Sequence, residues 1–163
     1  MDIKTDTRQR LLDSARELIY ARSYADVGVQ AICEHANVKK GSFYHFFPSK
    51  KDLTLAVLDY LYIEFKSDMI SKAFADDIPP MQRFHRMAEM VYQFQRQVAE
   101  STGQILGCPF GNLAIEMSTQ DDEIRSKIAE IFDDFQAAVQ LTLNDAIDAG
   151  EIGDIDVDAT AQA

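Results

Sequence analysis

Residues 38–50, which read VKKGSFYHFFPSK, decide the fold of this chain. Phe43 and Phe47 are four residues apart, so a short helix places both rings on one side as an apolar anchor. The helix is expected to end before the proline that follows Phe47. Ser49 can then cap a second helix, with Asp52 at the capping-box position. The stretch therefore predicts a short helix that is followed directly by another helix.

The polar side chains of this stretch point away from the apolar anchor. All of them can contact phosphates or base edges of DNA, and they are Lys39, Lys40, Ser42, Tyr44 and His45. Lys50 and Lys51 follow in the first turn of the second helix, where a cation opposes the helix dipole. A phosphate at that helix N-terminus would explain the two lysines. The alternative is a solvated pair of lysines, but the preceding ten residues favour the phosphate.

Two further helices are expected before this stretch, at about residues 7–22 and 29–35. Apolar residues recur at helical spacing in the first of them, which predicts a buried stripe. Asn37 lies where a tight turn between helices needs a left-handed residue, a conformation that Asn tolerates better than most residues do. Two short helices joined by such a turn and covered by a third helix form a helix-turn-helix unit.

The rest of the chain is also expected to be helical, because glycines and prolines are few and alternating strand patterns are scarce. The predicted helices cover about residues 49–74, 81–101 and 109–117. A last long helix is expected to be capped by Ser118 or Thr119 and to end at Gly150.

This pattern predicts an all-α protein with two domains. An N-terminal three-helix helix-turn-helix domain is expected at residues 1–48, and a helical domain at residues 49–163. Residues 156–163 begin one more helix, which breaks off within its first turns. We therefore expect the second domain to be truncated at its C-terminus.

The charge is distributed unevenly. The net charge is −11, which by itself argues against a nucleic acid partner. Through Asp52, however, nine Lys and Arg residues stand against seven Asp and Glu residues, whereas the remainder has seven against twenty. An acidic body with a mildly basic head suits a protein that contacts DNA with one end only.

Composition excludes several classes of protein. No apolar run approaches the roughly 18 residues of a membrane span, and the polar start, Met1-Asp2, does not resemble a signal peptide. The only cysteines are Cys33 and Cys108, which excludes a disulfide scaffold and favours a cytoplasmic location. Cys33 is expected to fill the core of the first domain.

Residues 7–58 resemble the DNA-binding domain of TetR-family transcriptional regulators, and residues 38–50 are a form of that family's signature. The resemblance implies a transcriptional repressor that binds a double-stranded operator as a homodimer and is released by a small-molecule effector. It also implies that the C-terminal helices form a domain for ligand binding and dimerisation. Physics supports a dimer independently, because one short recognition helix supplies little specificity and two half-sites about one helical turn apart supply more.

The resemblance carries over to particular residues. It places Lys39, Lys40 and Ser42 at base edges or adjacent phosphates, Tyr44 and His45 at the DNA backbone, and Lys50 at a phosphate. One departure is Gly28, since the family often has a threonine there that caps the second helix and meets a phosphate. Gln30 is then expected to contribute more. The predicted DNA contacts are Gln30, Lys39, Lys40, Gly41, Ser42, Tyr44, His45 and Lys50.

Cys108 begins a second stretch of interest. Residues 107–116, GCPFGNLAIE, resemble a motif in a branch of the family that includes electrophile-sensing repressors. Cys108 is expected at a helix N-terminus, which favours the thiolate form. It is then either a sensor that electrophiles or oxidants modify, or a small residue that closes a tight loop.

An apolar effector pocket is expected among aromatic and methionine residues of the body, although the same spacing is typical of ordinary core. The candidates are Tyr62, Phe65, Met69, Met87, Met90, Phe94, Phe110, Met117 and Phe132.

We predict neither a metal site nor a cofactor. Two rival hypotheses are a helical enzyme that acts on a small molecule and a protein-interaction module. The enzyme is weakly supported, because no catalytic pair or glycine-rich phosphate loop is recognisable.

Overall fold

The computed structural model describes residues 3–162, with side chains from Asp6 onward. Every element in this range is a helix, which confirms the all-α prediction. The helices are α1 (Ile3–Ala21), α2 (Val29–His35), α3 (Lys40–Phe46), α4 (Lys50–Glu64), α5 (Ser71–Ala73), α6 (Pro80–Thr102), α7 (Pro109–Met117), α8 (Asp122–Asp148) and α9 (Val157–Gln162). None of these helices is long and apolar enough to cross a membrane. The polar start Met1-Asp2 and the last residue, Ala163, lie outside the described residues.

Two predictions about helices need correction. The helix predicted over residues 49–74 is not one α-helix, because Phe65–Ile70 forms a π-helix between α4 and α5. Such wider turns are not encoded by a simple apolar period. The cap of α8 is not Ser118 or Thr119 but Asp121, whose carboxylate accepts hydrogen bonds from the N–H groups of Glu123 at 3.0 Å and Ile124 at 3.1 Å.

The chain packs as two compact units. The first runs through Leu61 and also contains Leu106–Ile128, whereas the second contains Tyr62–Ile105 and the chain from Ala129 onward. Packing units and functional domains need not coincide. The division into a DNA-binding domain at residues 1–48 and a ligand-binding and dimerisation domain at residues 49–163 therefore stays a prediction.

The core of the first unit joins α1, α2, α3 and α4. Its members come from these four helices and from the segments that join them, and they are Leu11, Leu12, Ala15, Val27, Ile32, Cys33, Ala36, Phe43, Phe47, Leu53 and Val57. Burying one such large side chain contributes about 1.5–3 kcal/mol, so the shared core holds the four helices together. Cys33 is buried in this core, as predicted.

The turn between α2 and α3 has the predicted left-handed residue. Asn37 has φ +51°, and its N–H donates to the carbonyl of Glu34 at 3.1 Å, while the N–H of Val38 donates to the carbonyl of Cys33 at 2.9 Å. These bonds satisfy the last carbonyls of α2 and turn the chain sharply. Arg10 supports the turn from α1, because its guanidinium donates to the carbonyl of Ala36 at 3.2 Å.

The second unit has an aromatic cluster and an ion pair between a buried arginine and an exposed carboxylate. The Phe135 ring lies 6.0 Å from the rings of both Phe65 and Phe74 between centroids. Arg83 is 7% exposed, and its guanidinium donates to the Asp145 carboxylate at 2.7 Å. Gly150 has φ +68° and ends α8 at the predicted position.

Candidate DNA interface

The apolar anchor of α3 fixes which side of this helix faces outward. Phe43 and Phe47 are 0% and 4% exposed, and their ring centroids lie 6.1 Å apart. The opposite side therefore faces solvent: Ser42 is half-buried, and the exposed residues are Lys39, Lys40, Gly41, Tyr44 and His45. The structure thus brings six of the eight predicted contact residues together on one surface, which we call the α3 face.

The two lysines of the α3 face differ from the other lysines of the protein. Among the lysines whose side chains are described, Lys39 and Lys40 alone make neither an ion pair nor a side-chain hydrogen bond. The others are engaged: Lys50 by backbone carbonyls, and Lys51, Lys66, Lys72 and Lys127 by carboxylates. In an acidic protein, two cations left without a carboxylate are available to an external anion.

The two aromatic residues of the α3 face, Tyr44 and His45, pack with their rings against neighbouring phenylalanines and are exposed to solvent. Tyr44 is 51% exposed, and its ring packs edge-on against Phe43 with centroids 5.1 Å apart. His45 packs edge-on against Phe46 at 5.0 Å. Both side chains therefore present a polar group to solvent from a fixed ring, an arrangement suited to contacting phosphate oxygens.

Ser49 caps α4 as predicted. The N–H of Asp52 donates to the Ser49 hydroxyl at 3.2 Å, and that hydroxyl donates to the Asp52 carboxylate at 2.6 Å. This cap makes α4 begin at Lys50, directly after the end of α3.

Lys50 differs from the lysines of the α3 face. Its ammonium donates to the carbonyls of Tyr24 at 2.8 Å and Val27 at 3.0 Å, and it lies 3.9 Å from the centroid of the Tyr24 ring. Burial lowers the pKa of Lys50, whereas the charge of Glu116 opposes that shift. Two of the three ammonium protons are therefore used inside the protein, and the predicted phosphate contact would have to use the third.

Lys51 has a partner other than a phosphate. Its ammonium lies 2.7 Å from the Glu123 carboxylate and 3.8 Å from that of Asp121, both at the start of α8. The hydrogen bond that the Lys51 ammonium donates to the Glu123 carboxylate, together with the charges of Asp121 and Glu123, raises the pKa of Lys51. The sequence suggested a phosphate as the partner of both lysines. For Lys51 no phosphate is needed, because the carboxylates at the start of α8 offset the charge of its ammonium.

The start of α2 lacks a side-chain cap. Gly28 occupies the N-cap position in an extended conformation, and no side chain accepts a hydrogen bond there. Gln30 is exposed, and its amide donates to the Glu34 carboxylate at 2.9 Å. A predicted DNA contact by Gln30 would have to compete with that bond.

Sequence reasoning missed the residues that connect α7 to the start of the chain. The Glu116 carboxylate accepts the backbone N–H groups of Tyr24 at 2.8 Å and Ala25 at 2.7 Å. The Tyr20 hydroxyl donates to the carbonyl of Gly107 at 2.6 Å. The Glu116 partners are 91 and 92 residues away in sequence, so no local pattern could have predicted these contacts. They tie both ends of residues 107–116 to α1 and the loop that follows it.

Cys108 caps α7 with its side chain. The residue is exposed and extended, and its sulfur accepts the N–H of Gly111 at 3.4 Å. Asn112 closes the adjacent loop, because its amide donates to the carbonyl of Leu106 at 2.7 Å. The thiol is thus open to reagents and also part of a tight loop, so both interpretations of Cys108 stay open at this point.

The nine predicted pocket residues do not share one environment. Phe110 and Met117 are buried in the first unit, whereas the other seven belong to the second unit. Of those seven, Phe94 and Phe132 are 40% and 41% exposed, and the rest are half-buried: Tyr62, Phe65, Met69, Met87 and Met90. The Tyr62 hydroxyl bonds the Asp134 carboxylate. A role for these residues in binding an effector stays a prediction.

Across the described side chains, no group of three or more His, Cys, Asp or Glu residues could hold a metal ion.

Comparison with known proteins matches most of the chain. Residues 11–57 match the family described as "Bacterial regulatory proteins, tetR family". Residues 80–163 match the family described as "Tetracyclin repressor-like, C-terminal domain". The transcriptional regulator AcuR of Cereibacter sphaeroides is 32% identical over 160 residues, which cover 95% of this chain and 69% of AcuR.

Two solved structures are similar to the whole described fold. The regulatory protein TetR from Rhodobacter sphaeroides has a TM-score of 0.81 at 30% identity, with 94% of this chain and 80% of that chain covered. The reduced form of E. coli NemR has a TM-score of 0.80 at 24% identity, with coverages of 96% and 80%, and supports the fold alone. The helix-turn-helix, the α3 face and these matches agree, and this chain belongs to the TetR family of bacterial regulatory proteins.

Proposed function

We propose that this protein is a transcriptional repressor that binds a double-stranded DNA operator through the α3 face and is released by a small effector or by modification of Cys108. The observation that carries the proposal is the pair of lysines, Lys39 and Lys40, that no carboxylate of the described chain neutralises. They lie beside the exposed polar groups of Tyr44 and His45, on a helix that a buried anchor holds in place. Gln30 and Lys50 flank this surface as additional contacts.

The proposed operator has two half-sites, each read by one protomer of a homodimer. The α3 helix has seven residues, and only a few side chains of so short a helix can reach base edges at once. A dimer doubles that number and fixes the spacing of the half-sites at about one helical turn. Release then requires a second state, in which the two α3 helices no longer match this spacing, and an effector that binds that state more tightly.

Selection of duplexes from a random DNA library by the purified chain tests this proposal. We expect enrichment of a palindromic sequence with half-sites about one helical turn apart. We also expect the logarithm of the binding constant to fall linearly with the logarithm of the salt concentration. Failure to enrich any duplex, or binding that does not respond to salt, contradicts the proposal.

The enzyme and protein-interaction hypotheses are not favoured by the comparisons.

We further propose Cys108 as the residue that electrophiles modify. Its thiol is exposed at the start of α7, a helix whose two ends are tied to α1 and the following loop through Gly107 and Glu116. An adduct converts the sulfur into a thioether and adds bulk beside the Gly111 N–H that the sulfur accepts. Space there is limited, since a carbon placed on Gly111 would already meet the Cys108 side chain at 3.4 Å.

N-ethylmaleimide provides the test of the Cys108 proposal. Mass spectrometry of the native protein should find one adduct, on exposed Cys108, and a second one, on Cys33, only in denaturant. The adduct should lower affinity for the selected operator, and Cys108→Ser should abolish this response. Cys33→Ala is the matched control and should respond as the natural chain does. If Cys108→Ser still responds to N-ethylmaleimide, or if the native adduct leaves operator binding unchanged, Cys108 is not the sensor.

A further inference from the structure

A cavity of about 500 Å³ lies within the first unit, between α1, α4 and α7. Its size falls within the range of small-molecule sites in proteins. The apolar part of its wall comes from all three helices and includes Ile19, Val57, Leu58, Leu61 and Leu113. None of the nine predicted pocket residues borders it. The cavity is therefore separate from the effector site expected among the aromatic and methionine residues.

The polar part of the wall carries a net positive charge. It contains the guanidinium groups of Arg16 and Arg22 and a single carboxylate, that of Glu116. Both oxygens of this carboxylate already accept backbone N–H groups. Arg22 is exposed, and its side chain makes no ion pair or hydrogen bond in the described part of the chain. In a protein with a net charge of −11, an uncompensated guanidinium at the edge of an apolar cavity indicates a site for an anion.

We propose that this cavity binds a small amphipathic carboxylate, a molecule with one carboxyl group and an aliphatic or aromatic body. The carboxylate would pair with Arg22 in the bidentate geometry that a guanidinium favours, near the second positive charge at Arg16. The body would lie on the apolar wall formed by Ile19, Leu61 and Leu113. An amine of the same length meets the wrong charge, and an alcohol leaves Arg22 without an anionic partner.

The cavity borders the contacts that hold α7 to the start of the chain. Tyr20 and Glu116 both line it, and both make the hydrogen bonds that connect α1 and its following loop with residues 107–116. A ligand in the cavity is thus placed to stabilise one arrangement of these contacts over another, which shifts the population of states. We infer that the carboxylate changes operator affinity, a consequence that rests on the proposed function.

Isothermal titration calorimetry with octanoate tests the binding site. Octanoate should bind one molecule per chain and at least about tenfold more tightly than 1-octanol or octylamine, a ratio that corresponds to about 1.4 kcal/mol. It should also raise the midpoint of thermal unfolding, because it binds the folded state alone. Equal affinity for octanoate and 1-octanol, or no binding of octanoate at millimolar concentration, overturns the proposal.

Two substitutions at exposed positions locate the site. Arg22→Gln removes the cation, and Ile115→Asp places a carboxylate on the wall at a residue that is 81% exposed. Each should weaken octanoate binding about tenfold or more. The matched controls are Arg125→Gln and Ile105→Asp, which are also at exposed positions, lie outside the cavity and should bind octanoate normally. Unchanged binding in both cavity variants, checked to be folded by circular dichroism, overturns the assignment.

Fluorescence anisotropy with the selected operator separates this inference from the proposed function. Saturating octanoate should change operator affinity of the natural chain and leave that of Arg22→Gln unchanged. If the chain binds its operator but octanoate has no effect, the regulatory part of the inference fails and the repressor function stands. If no operator is bound at all, the repressor function fails, while the calorimetry still decides whether the cavity is a carboxylate site.

Discussion

Lys40→Ala is expected to weaken binding to the selected operator about tenfold to a hundredfold. One good contact to a base edge contributes about 1–3 kcal/mol, and each 1.4 kcal/mol is a factor of ten. Lys40 begins α3, is exposed and has no carboxylate partner among the described residues. Its charge is therefore available to DNA without first breaking an internal ion pair, unlike the charges of the paired lysines.

Measurements across salt concentrations show which kind of contact Lys40 makes. If it meets a phosphate, Lys40→Ala weakens binding to all duplexes alike and lowers the salt dependence by about one ion per subunit. If it meets a base edge, the variant loses preference at one position of the half-site. Lys72→Ala is the control, because Lys72 is exposed but pairs with Asp68 at 2.6 Å on its own helical segment. Equal affinity of Lys40→Ala and Lys72→Ala would remove the α3 face from the interface.

Tyr44 allows a finer comparison on the same surface. Tyr44→Phe keeps the ring that packs on Phe43 and removes only the hydroxyl, whereas Tyr44→Ala removes both. Since the hydroxyl is the group proposed to meet the DNA backbone, both variants should bind the operator more weakly while only Tyr44→Ala disturbs the packing of α3. A Tyr44→Phe variant with natural affinity would assign the residue to packing alone.

The helix-turn-helix could be predicted because its signals are local. The left-handed turn needs a residue such as Asn37, and the end of α3 needs the proline that follows Phe47. The start of α4 needs Ser49 with Asp52 three residues later, and the structure has each of these features where the sequence places it. Side-chain spacing of four residues also predicted which rings are buried and hence which lysines are exposed.

The environment of the charged residues could not be predicted in the same way. Lys50 and Lys51 are neighbours in sequence, yet one donates to carbonyls of the loop after α1 and the other pairs with the start of α8. Those partners lie 23 or more residues away along the chain, so spacing gives no sign of them. The cavity could not be predicted from the sequence for the same reason. Its wall combines residues of α1, α4 and α7 that only the tertiary fold brings together.

Glu116→Ala is expected to lower the free energy of unfolding by about 2–3 kcal/mol. The Glu116 carboxylate accepts two backbone N–H groups, and a hydrogen bond to a charged group contributes about 1.5–3 kcal/mol. Removing it leaves the partly buried N–H of Tyr24 without an acceptor, while the exposed N–H of Ala25 can bond to water. The total is therefore smaller than twice the value of one bond. Urea unfolding followed by circular dichroism measures it.

Hydrogen exchange identifies where this stability is lost. In the natural chain the amides of Tyr24 and Ala25 should be protected from exchange by their hydrogen bonds to Glu116. In Glu116→Ala both amides should exchange faster, because the loop can open without first breaking these two bonds. Glu116→Gln keeps one acceptor oxygen without the charge and should lie between the two. Glu100→Ala is the control, because Glu100 is exposed and its one ion-pair partner among the described side chains is Arg96, one turn earlier on α6.

The Tyr24 loop also positions Lys50 through its carbonyls. Loosening the loop should therefore leave that ammonium no longer fixed at the start of α4, and we expect a weaker operator complex as well. This effect on DNA affinity would come from a residue of α7 that is not expected to contact DNA. If Glu116→Ala instead has the stability and operator affinity of Glu100→Ala, the carboxylate does not join α7 to the start of the chain. The proposal that an adduct on Cys108 lowers operator affinity then loses the contact by which α7 would act on the rest of the first unit.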